Sequence, residues 1–404
     1  MKLLDLKLEN IGPFKKCEIA LSPDKQRYGY NDYVNKAKHL IITGENGTGK
    51  SVILDAIRTI MYGDYYRAID RQIINNNICS IAMNFSFNKD ALPLKTTIDN
   101  NNNIYIQNID IGTHIYNNIN KKLPTNFILD FWNSKLSTEK FEITSMELLD
   151  VNKIFLNPLS GVHKNADVVK SIVFFDYLKD GNSEESQIGK FLYDTTVKII
   201  NNCIIDGEFI GVSRKNLSPL FVQFGNEIGI DKLSSGSIYI MQRMLSLLVK
   251  AYAAHVLNHT PISKILEVEG MLLIDEAETH LHPKWQKVLF KNILDIFPNI
   301  QIIATTHSPF IVSSLEGAEV IVCKAGKDGC YLENETENYA NKPVEEILRM
   351  PLFDTDSFNS EISDLLRERK VAIKANNEKA KHEIEIKLEK LNPEYFKYLK
   401  IGYL

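Results

Sequence analysis

Residues 44–51 read Gly44-Glu45-Asn46-Gly47-Thr48-Gly49-Lys50-Ser51 and satisfy the pattern G-x-x-x-x-G-K-[ST] in full. A short apolar run precedes them, and apolar residues recur at helical spacing through residues 52–60. In a strand, loop and helix of this kind, backbone N–H groups face phosphate oxygens, a lysine reaches the β and γ phosphates and a hydroxyl ligates Mg²⁺. We therefore predict a P-loop that binds ATP and Mg²⁺ through Gly44, Asn46, Gly47, Thr48, Gly49, Lys50 and Ser51.

The composition is that of an ordinary globular protein. The 404 residues are 44% hydrophobic and 24% charged, and the formal net charge is -4. A chain of this length can bury a large core. There is no global basic excess of the kind that marks a dedicated nucleic-acid binder, so DNA binding would need a local basic patch.

Cysteine usage and hydropathy favour a cytoplasmic protein. An odd number of cysteines is scattered without a C-x-x-C pair, which indicates neither a disulfide framework nor a zinc site. The most hydrophobic stretch, residues 238–257, contains Arg243 and Lys250 and is predicted to be a buried helix, not a membrane span. The five cysteines are Cys17, Cys79, Cys203, Cys323 and Cys330.

The periodicity of the chain predicts an α/β architecture with a helical tail. Apolar and polar residues alternate over residues 79–107, as in an antiparallel sheet. Helices are predicted over residues 168–178, 187–204 and 235–257, and from Pro283 onward. Strands predicted at residues 271–275, 300–305 and 319–323 alternate with helices, which implies βα units around a mostly parallel sheet. The charged tail carries an apolar stripe that includes Ile362, Leu366, Ile373 and Leu388.

Two acids follow the apolar run Met-Leu-Leu-Ile at residues 271–274. Ligands of α/β sheets bind at the carboxyl ends of the strands, so Asp275 is predicted to hold the Mg²⁺ ion. Glu276 would orient and polarise an attacking water, because phosphoryl transfer mainly requires positioning and charge stabilisation. Strands often end in charged turns, so the two acids alone are a weak pattern. Their position in the chain after a complete P-loop is what supports the assignment.

Two shorter motifs are ambiguous when they stand alone. Ser234, Ser235 and Gly236 open a long helix, where hydroxyls, free N–H groups and the positive end of the helix dipole could bind an anion. An ordinary N-cap is the alternative. His307 closes an apolar strand and could hydrogen-bond a γ-phosphate, although a single histidine in such a position is usually structural.

The set and the order of these motifs resemble the head of ABC ATPases, and more closely the SMC and RecF-like branch of that family. The resemblance covers about residues 1–108 and 205–335. It implies an α/β head with a mostly parallel sheet and an antiparallel β subdomain. The expected organisation is an N-terminal ATPase lobe (1–108), a mixed helical insertion (109–204), a C-terminal ATPase lobe (205–335) and a helical tail for assembly or partner docking (336–404).

The resemblance also implies roles for individual residues. Glu276 corresponds to the general base and His307 to the switch histidine, while Gln72 is the candidate for a glutamine that senses Mg²⁺. Ser234, Ser235 and Gly236 correspond to the signature that contacts the γ-phosphate held by the other subunit of a head-to-tail dimer. Ser237 departs from the family pattern, since many members carry Gln or Glu at that position.

The segment Ala277-Glu-Thr-His-Leu-His-Pro283 is unlike the corresponding loop of transporter heads and is similar to that of OLD-family and phage-defence ATPases. Metal ligation by Glu278, His280 and His282 is discounted on this resemblance. The Toprim nuclease domain of the OLD family is not expected, because the chain after the last predicted strand is shorter than the ~100 residues that such a domain usually needs. The motif Asp354-Thr-Asp356 is better explained as a turn before a helix.

The short insertion and charged tail look most like stand-alone ATPase subunits of bacterial anti-phage systems. Septu-type subunits act with an HNH nuclease, and PARIS-type subunits act with a nuclease toxin. The resemblance thus implies a homodimer or larger assembly that senses or regulates a nuclease and has no nuclease activity of its own. Two alternatives stay open: a RecF-like DNA repair ATPase, which salt-dependent DNA binding would favour, and an ATP-gated scaffold that restrains a toxin with little turnover.

Overall fold

A computed structural model describes most of the chain and divides it into two compact units, Met1–Asn341 and Lys342–Leu404. The described residues are 1–62, 79–87, 90–98, 104–107, 127–143, 145, 148–151, 153–155, 158–181, 183–340, 342–353 and 359–397. Gln72, Asp354 and Asp356 lie outside these ranges.

Within the described ranges, the first unit contains three sheets. Their strands are β1 Lys2–Ile11, β2 Phe14–Ala20, β3 Leu40–Gly44, β4 Cys79–Phe87, β5 Asp90–Ile98, β6 Ile104–Gln107, β7 Phe127–Trp132, β8 Gly207–Ser213, β9 Ser218–Gln223, β10 Asn226–Gly229, β11 Glu269–Ile274, β12 Ile300–Thr305, β13 Glu319–Gly326 and β14 Gly329–Asn334. The strand order of the six-stranded sheet is β14-β13-β3-β12-β11-β7. The order of the five-stranded sheet is β2-β1-β4-β5-β6, and that of the three-stranded sheet is β10-β9-β8.

Helices connect the strands of the first unit and make up most of the second. They are α1 Lys25–Tyr28, α2 Tyr30–Asn35, α3 Lys50–Tyr62, α4 Asn165–Leu178, α5 Ser183–Cys203, α6 Ser235–Asn258, α7 Pro283–Gln286, α8 Leu289–Leu294, α9 Pro309–Val312, α10 Thr336–Tyr339, α11 Val344–Leu348, α12 Ser360–Lys374, α13 Glu378–Leu391 and α14 Pro393–Phe396. The segment predicted as one helix from Pro283 forms two short helices. The bounds of the helices predicted over residues 168–178, 187–204 and 235–257 differ from the observed bounds by at most four residues.

The six-stranded sheet is parallel except for the pairing of β13 with β14. Strand β3 lies between β12 and β13, and every residue of it is buried. A parallel strand with helices on its faces is covered on both sides, which explains its continuous apolar sequence. The predicted fold class, an α/β head with a mostly parallel sheet and an antiparallel β subdomain, is confirmed.

The side chain of Gln301 connects the parallel sheet with the five-stranded antiparallel sheet. Its Oε1 atom accepts a hydrogen bond from the Leu3 amide at 2.6 Å, and its Nε2 atom donates to the Leu3 carbonyl at 2.9 Å. Gln301 is 1% exposed, so an amide that pairs both of its polar ends is needed at this position. Together with the ion pair between the Met1 amino group and Glu269 at 2.7 Å, this side chain links the two sheets.

Strand β7 is an edge strand of the parallel sheet that the sequence analysis does not recognise, because it lies among residues assigned to the insertion. Asp130 interrupts its apolar sequence. The carboxylate is 1% exposed, lies 2.7 Å from Lys250 Nζ and accepts a hydrogen bond from the Phe131 amide. A buried charge of this kind is tolerated because it is paired and hydrogen-bonded.

Helix α6 is predominantly buried, in agreement with the prediction for residues 238–257. Arg243 is completely buried, donates to the carbonyl oxygens of Asn133 and Lys135, and stacks on the Tyr239 ring at 4.4 Å. Its interior position thus rests on hydrogen bonds to the chain that leaves β7. No helix among the described residues has both the length and the apolar character that a membrane crossing requires.

The second unit has a small core of its own. Helices α12 and α13 each bury one side, and Arg369 forms an ion pair with Glu385 at 2.8 Å between them. This arrangement confirms the predicted helical tail with one apolar stripe, although Ile373 is largely exposed. The core residues are Ile362, Ala372, Ile384, Leu388 and Phe396.

We predict that His39 makes the fold sensitive to mild acid. Its Nδ1 atom accepts a hydrogen bond from the Ile302 amide at 3.0 Å, and burial lowers the pKa of His39 to about 4 from 6.5. Between about pH 4 and pH 6.5 the unfolded chain binds more protons at this residue than the folded protein does, so the free energy of unfolding falls as the pH falls. The expected loss is roughly 2 kcal/mol between about pH 7.5 and pH 5.

Urea unfolding at the two pH values would measure this loss. The His39→Asn variant keeps an acceptor near the Nδ1 position but does not titrate. Its free energy of unfolding should therefore fall by roughly 2 kcal/mol less than that of the wild type over the same pH change. His259→Asn is the matched control, because His259 is exposed at the end of α6. Equal acid sensitivity of all three proteins would contradict the assignment.

Candidate functional site

The P-loop connects β3 with α3 through glycines that no other residue could replace without strain. At Gly44, with φ +144°, a Cβ atom would lie 2.3 Å from the Cys323 carbonyl oxygen. At Gly49, with φ +95°, it would lie 2.5 Å from a side-chain carbon of Pro13. The loop therefore requires glycine for close backbone packing as well as for positive φ.

The polar side chains of the P-loop are held by the loop itself. Lys50 Nζ donates to the carbonyl oxygens of Gly44 and Glu45, and Thr48 Oγ1 donates to Glu45. Burial lowers the pKa of Lys50, and the nearby acids oppose this shift. Because a buried ammonium gains from an additional anion, this arrangement suits a phosphate group close to Lys50.

A cavity of about 550 Å³ opens above the P-loop, which is a volume typical of ligand sites. The parallel register of β3, β11 and β12 brings their carboxyl ends to this cavity. Another cavity of about 460 Å³ beside α4 and α6 contains none of the predicted site residues that the structure describes. The residues lining the first cavity include Asn46, Gly47, Gly49, Lys50, Ser51, Glu276, Thr305 and His307.

Asp275 lies at the end of β11, where it meets the first turn of α3. Its Oδ1 atom accepts hydrogen bonds from Ser51 Oγ at 2.9 Å and from Thr305 Oγ1 at 2.6 Å. Its amide donates to the Trp132 carbonyl at the end of β7. A hydroxyl and a carboxylate at this separation are a donor set that suits Mg²⁺, so the residues present fit the expected ion.

Glu276 has a left-handed backbone conformation, with φ +51°. Its amide donates to Thr305 Oγ1 at 2.8 Å, and its side chain is exposed toward the cavity. Such a conformation is unfavourable for a residue other than glycine and is typical of functional sites. Glu276 lines the same cavity as Lys50 and Ser51, and its Oε2 atom accepts a hydrogen bond from Thr279 Oγ1 at 3.3 Å.

His307 also lines the cavity and follows the end of β12 by two residues. Burial, and then the charge of Lys50, lowers the pKa of His307 below its usual value, while the nearby acids oppose this shift. The neutral imidazole has one donor and one acceptor nitrogen. The backbone amide of His307 donates a hydrogen bond to Glu278 Oε1 at 2.7 Å.

The signature residues do not line this cavity. Ser234 is the N-cap of α6 and accepts a hydrogen bond from the Ser237 amide, as the N-cap alternative requires. Ser234 and Ser235 are nevertheless exposed. At Gly236 a Cβ atom would lie 2.5 Å from the His280 carbonyl oxygen. Within one chain, the structure thus brings the P-loop, the acidic pair and His307 together and leaves the signature apart from them.

The two histidines that follow Glu278 have structural contacts. His280 Nε2 lies 2.9 Å from the Ser134 carbonyl, and its ring packs against Tyr239. His282 Nδ1 accepts from the Lys284 amide as the N-cap of α7. Each of the two side chains thus has a structural partner within the chain.

Two side chains of the site are not identified by the sequence motifs. Thr305 joins Asp275 to the Glu276 amide, and Glu278 joins the acidic loop to the turn at His307. The motif Thr-Thr-His-Ser contains Thr305, but nothing in the sequence shows which threonine faces Asp275. The predicted Mg²⁺ sensor Gln72 lies outside the described residues, so its role stays a prediction.

The fold and this cavity define a P-loop nucleotide-binding protein of the ABC and AAA ATPase class. The chain belongs to the family described as "AAA domain, putative AbiEii toxin, Type IV TA system", whose model matches residues 40–313.

Two relatives match most of the chain. The Septu protein PtuA of Bacillus thuringiensis is 26% identical over 367 residues, which cover 85% of this chain and 82% of that protein. The Septu protein PtuA of Bacillus mycoides (strain KBAB4) is 24% identical over 381 residues, which cover 91% of this chain and 48% of that protein. The predicted resemblance to Septu-type ATPases is confirmed by these names.

Among solved structures, the SmcHead bound to the C-winged helix domain of ScpA has a TM-score of 0.47 and 14% identity. The match covers 82% of this chain and 97% of that chain. At this degree of similarity it adds nothing to the assignment of the fold.

We predict that Lys50 and Glu276 contribute separately to binding and to turnover. Lys50→Ala removes the charge beside the phosphates, a loss of about 3 kcal/mol that raises the Kd for ATP about 100-fold. Glu276→Gln keeps the shape of the site and should bind ATP normally, with turnover lowered by roughly 10²- to 10⁴-fold. Isothermal titration and a phosphate-release assay would measure the two effects. Hydrolysis by Glu276→Gln at the wild-type rate would refute its role as base.

Proposed function

We propose that this chain is an ATPase subunit of a bacterial anti-phage system, which hydrolyses ATP at sites completed by a second copy and thereby regulates a nuclease partner. The observation that carries the proposal is the incomplete cavity. The P-loop, Glu276 and His307 line one cavity, Asp275 is hydrogen-bonded to Ser51 of that lining, and the exposed serines of the signature lie outside it. The Septu relatives support the link to defence.

The chemistry divides among the residues of the cavity. When bound, ATP with Mg²⁺ supplies a γ-phosphorus open to attack by water. Lys50 and the P-loop amides hold the phosphate oxygens, while Ser51 and Asp275 provide oxygen ligands for the cation. The Glu276 carboxylate accepts the proton of the attacking water, and the neutral His307 donates a hydrogen bond to the γ-phosphate.

The signature completes this site in a head-to-tail dimer. The Ser234 hydroxyl is engaged by Ser237 as the N-cap of α6. The exposed Ser235 supplies a hydroxyl, and the N-terminus of the 24-residue helix α6 supplies backbone N–H groups and a positive dipole end. These are the groups that a γ-phosphate held by the P-loop of another copy would need. Two equivalent sites form because each copy contributes a P-loop to one and a signature to the other.

We predict that two inactive variants restore activity when they are mixed. Lys50→Ala inactivates the P-loop, and Ser235→Arg blocks the signature at an exposed position. A mixed dimer contains one site with both halves intact. At equal concentrations half of the dimers are mixed, so about one quarter of the wild-type turnover should return. Ser235 is preferred to Gly236 because a side chain at Gly236 would disturb its own fold.

Lys50→Ala mixed with Glu276→Gln is the matched control. Both residues act in the same half of a site, so this mixture contains no intact site and should stay inactive. Native mass spectrometry would establish that mixed dimers form. If they form and the first mixture stays inactive as well, sharing of sites is refuted.

We further propose that the helical tail serves assembly or docking of the nuclease, with an HNH nuclease as the expected partner type. The tail exposes apolar side chains in addition to its core, including Val371 and Ile386, which are 66% and 50% exposed. Exposed apolar side chains on helices that carry charges of both signs are groups that a partner helix or subunit would cover. The chain itself is expected to have no nuclease activity.

We predict that Val371→Asp with Ile386→Asp lowers the mass of the assembly, or abolishes co-purification with a co-expressed HNH nuclease of the proposed type, and leaves ATP binding unchanged. Both positions are exposed, so folding should be preserved. Exposed lysines of the same helices, Lys370→Asp with Lys387→Asp, provide the matched control. Unchanged assembly and unchanged co-purification would exclude this surface, and metal-dependent DNA cleavage by the pure wild-type chain would refute the absence of nuclease activity.

A further inference from the structure

Glu278 connects two parts of the nucleotide cavity that are distant in sequence. Its Oε1 atom accepts a hydrogen bond from the His307 amide at 2.7 Å, and its Oε2 atom accepts from Thr306 Oγ1 at 2.6 Å. Both oxygens of the carboxylate are therefore bound to consecutive residues of the turn that carries His307. A carboxylate that accepts two hydrogen bonds in this way fixes the orientation of the turn as well as its position.

The turn receives further support from the same loop. Thr306 is completely buried, and its hydroxyl accepts a hydrogen bond from the Ser308 amide. Ser308 Oγ donates to Gln286 Oε1 at 2.6 Å, and Gln286 Nε2 donates to the Leu281 carbonyl at 2.8 Å. The segment that follows Glu276 thus holds the turn on both sides of His307.

We propose that Glu278 is a positioning residue, which holds His307 at the γ-phosphate and so couples the loop of the general base to the switch histidine. The proposal rests on the proposed function, because it assigns a role within that ATP site. Glu278 itself does not line the cavity described above, which Glu276 and His307 do. It acts through the backbone of His307 and not on the phosphate.

An apolar residue could not replace this carboxylate, because the carboxylate accepts two hydrogen bonds from the turn. Without it, the His307 amide and the buried Thr306 hydroxyl would lose their acceptors, and a buried donor left unpaired is unfavourable. The turn would then rearrange to find other acceptors. A displacement of about 1 Å at a catalytic site can lower the rate about 100-fold.

Kinetics of four proteins in a double-mutant cycle test this inference: wild type, Glu278→Ala, His307→Ala and the double variant. Glu278→Ala should lower kcat by about 10- to 100-fold and change KM less than about threefold. In the His307→Ala background the same substitution should lower kcat less than about twofold, because the effects of residues that act through one another are not additive. Independent, multiplicative losses would overturn the proposal.

Two further variants separate positioning from loss of stability. Glu278→Gln retains an acceptor for the His307 amide and should recover part of the kcat, with a melting temperature near that of the wild type. Glu316→Ala removes an exposed acid of the same unit and should leave kcat unchanged. If Glu278→Ala does not fold, the cycle is measured with Glu278→Gln. A reduced kcat in Glu316→Ala, or no partial recovery in Glu278→Gln, would contradict the assignment.

Crystal structures of the wild type and Glu278→Ala provide a readout that does not depend on turnover. The proposal requires that His307 moves from its place at the cavity in the variant. An unmoved His307 would overturn it. A displaced His307 in a protein whose wild type has no ATPase activity would support the positioning role and refute the proposed hydrolysis, so the two failures are distinguishable.

Discussion

The hydroxyl of Thr305 is the contact on which the arrangement of the site depends. It donates to Asp275 and accepts from the Glu276 amide, so one atom at the end of β12 orients both acids at the end of β11. This is possible because β11 and β12 are parallel neighbours whose carboxyl ends meet at the same edge of the sheet. Strand β3 pairs with the other side of β12 and delivers the P-loop to that edge. The site is thus a consequence of parallel strand order.

Buried charge holds the remainder of the head in place. The ion pair of Asp130 with Lys250 connects strand β7 to helix α6, and Arg243 holds the chain that leaves β7 by its carbonyl oxygens. Asp130 and Lys250 are paired inside the core, so removing either one would leave an unpaired buried charge, whereas Arg243 is held by carbonyl oxygens. The same helix begins at Ser234 and Ser235. The orientation of the signature is therefore set by polar contacts well inside the protein.

Much of the fold could be predicted because its signals are local. The apolar run before Gly44, the helical spacing after Lys50 and the alternation over residues 79–107 each reflect the burial pattern of a single element. Strand β7 was missed since Asp130 breaks its apolar pattern and its partner Lys250 lies 120 residues away. The hydrogen bonds between Gln301 and Leu3 could not be predicted either, because a polar residue within a strand does not indicate which residue it binds.

The sequence by itself determined the chemistry that is present: a complete P-loop, two acids after an apolar run, a serine-rich helix start and a histidine, in an order that resembles ABC ATPase heads. Covalent order is enough for this, since each motif is a short stretch whose residues act together. Only the tertiary structure decided which of these groups share a cavity, that Thr305 and Glu278 connect them, and that the signature serines face solvent. Those facts depend on hydrogen bonds between residues far apart in the chain, which strand pairing alone brings within reach.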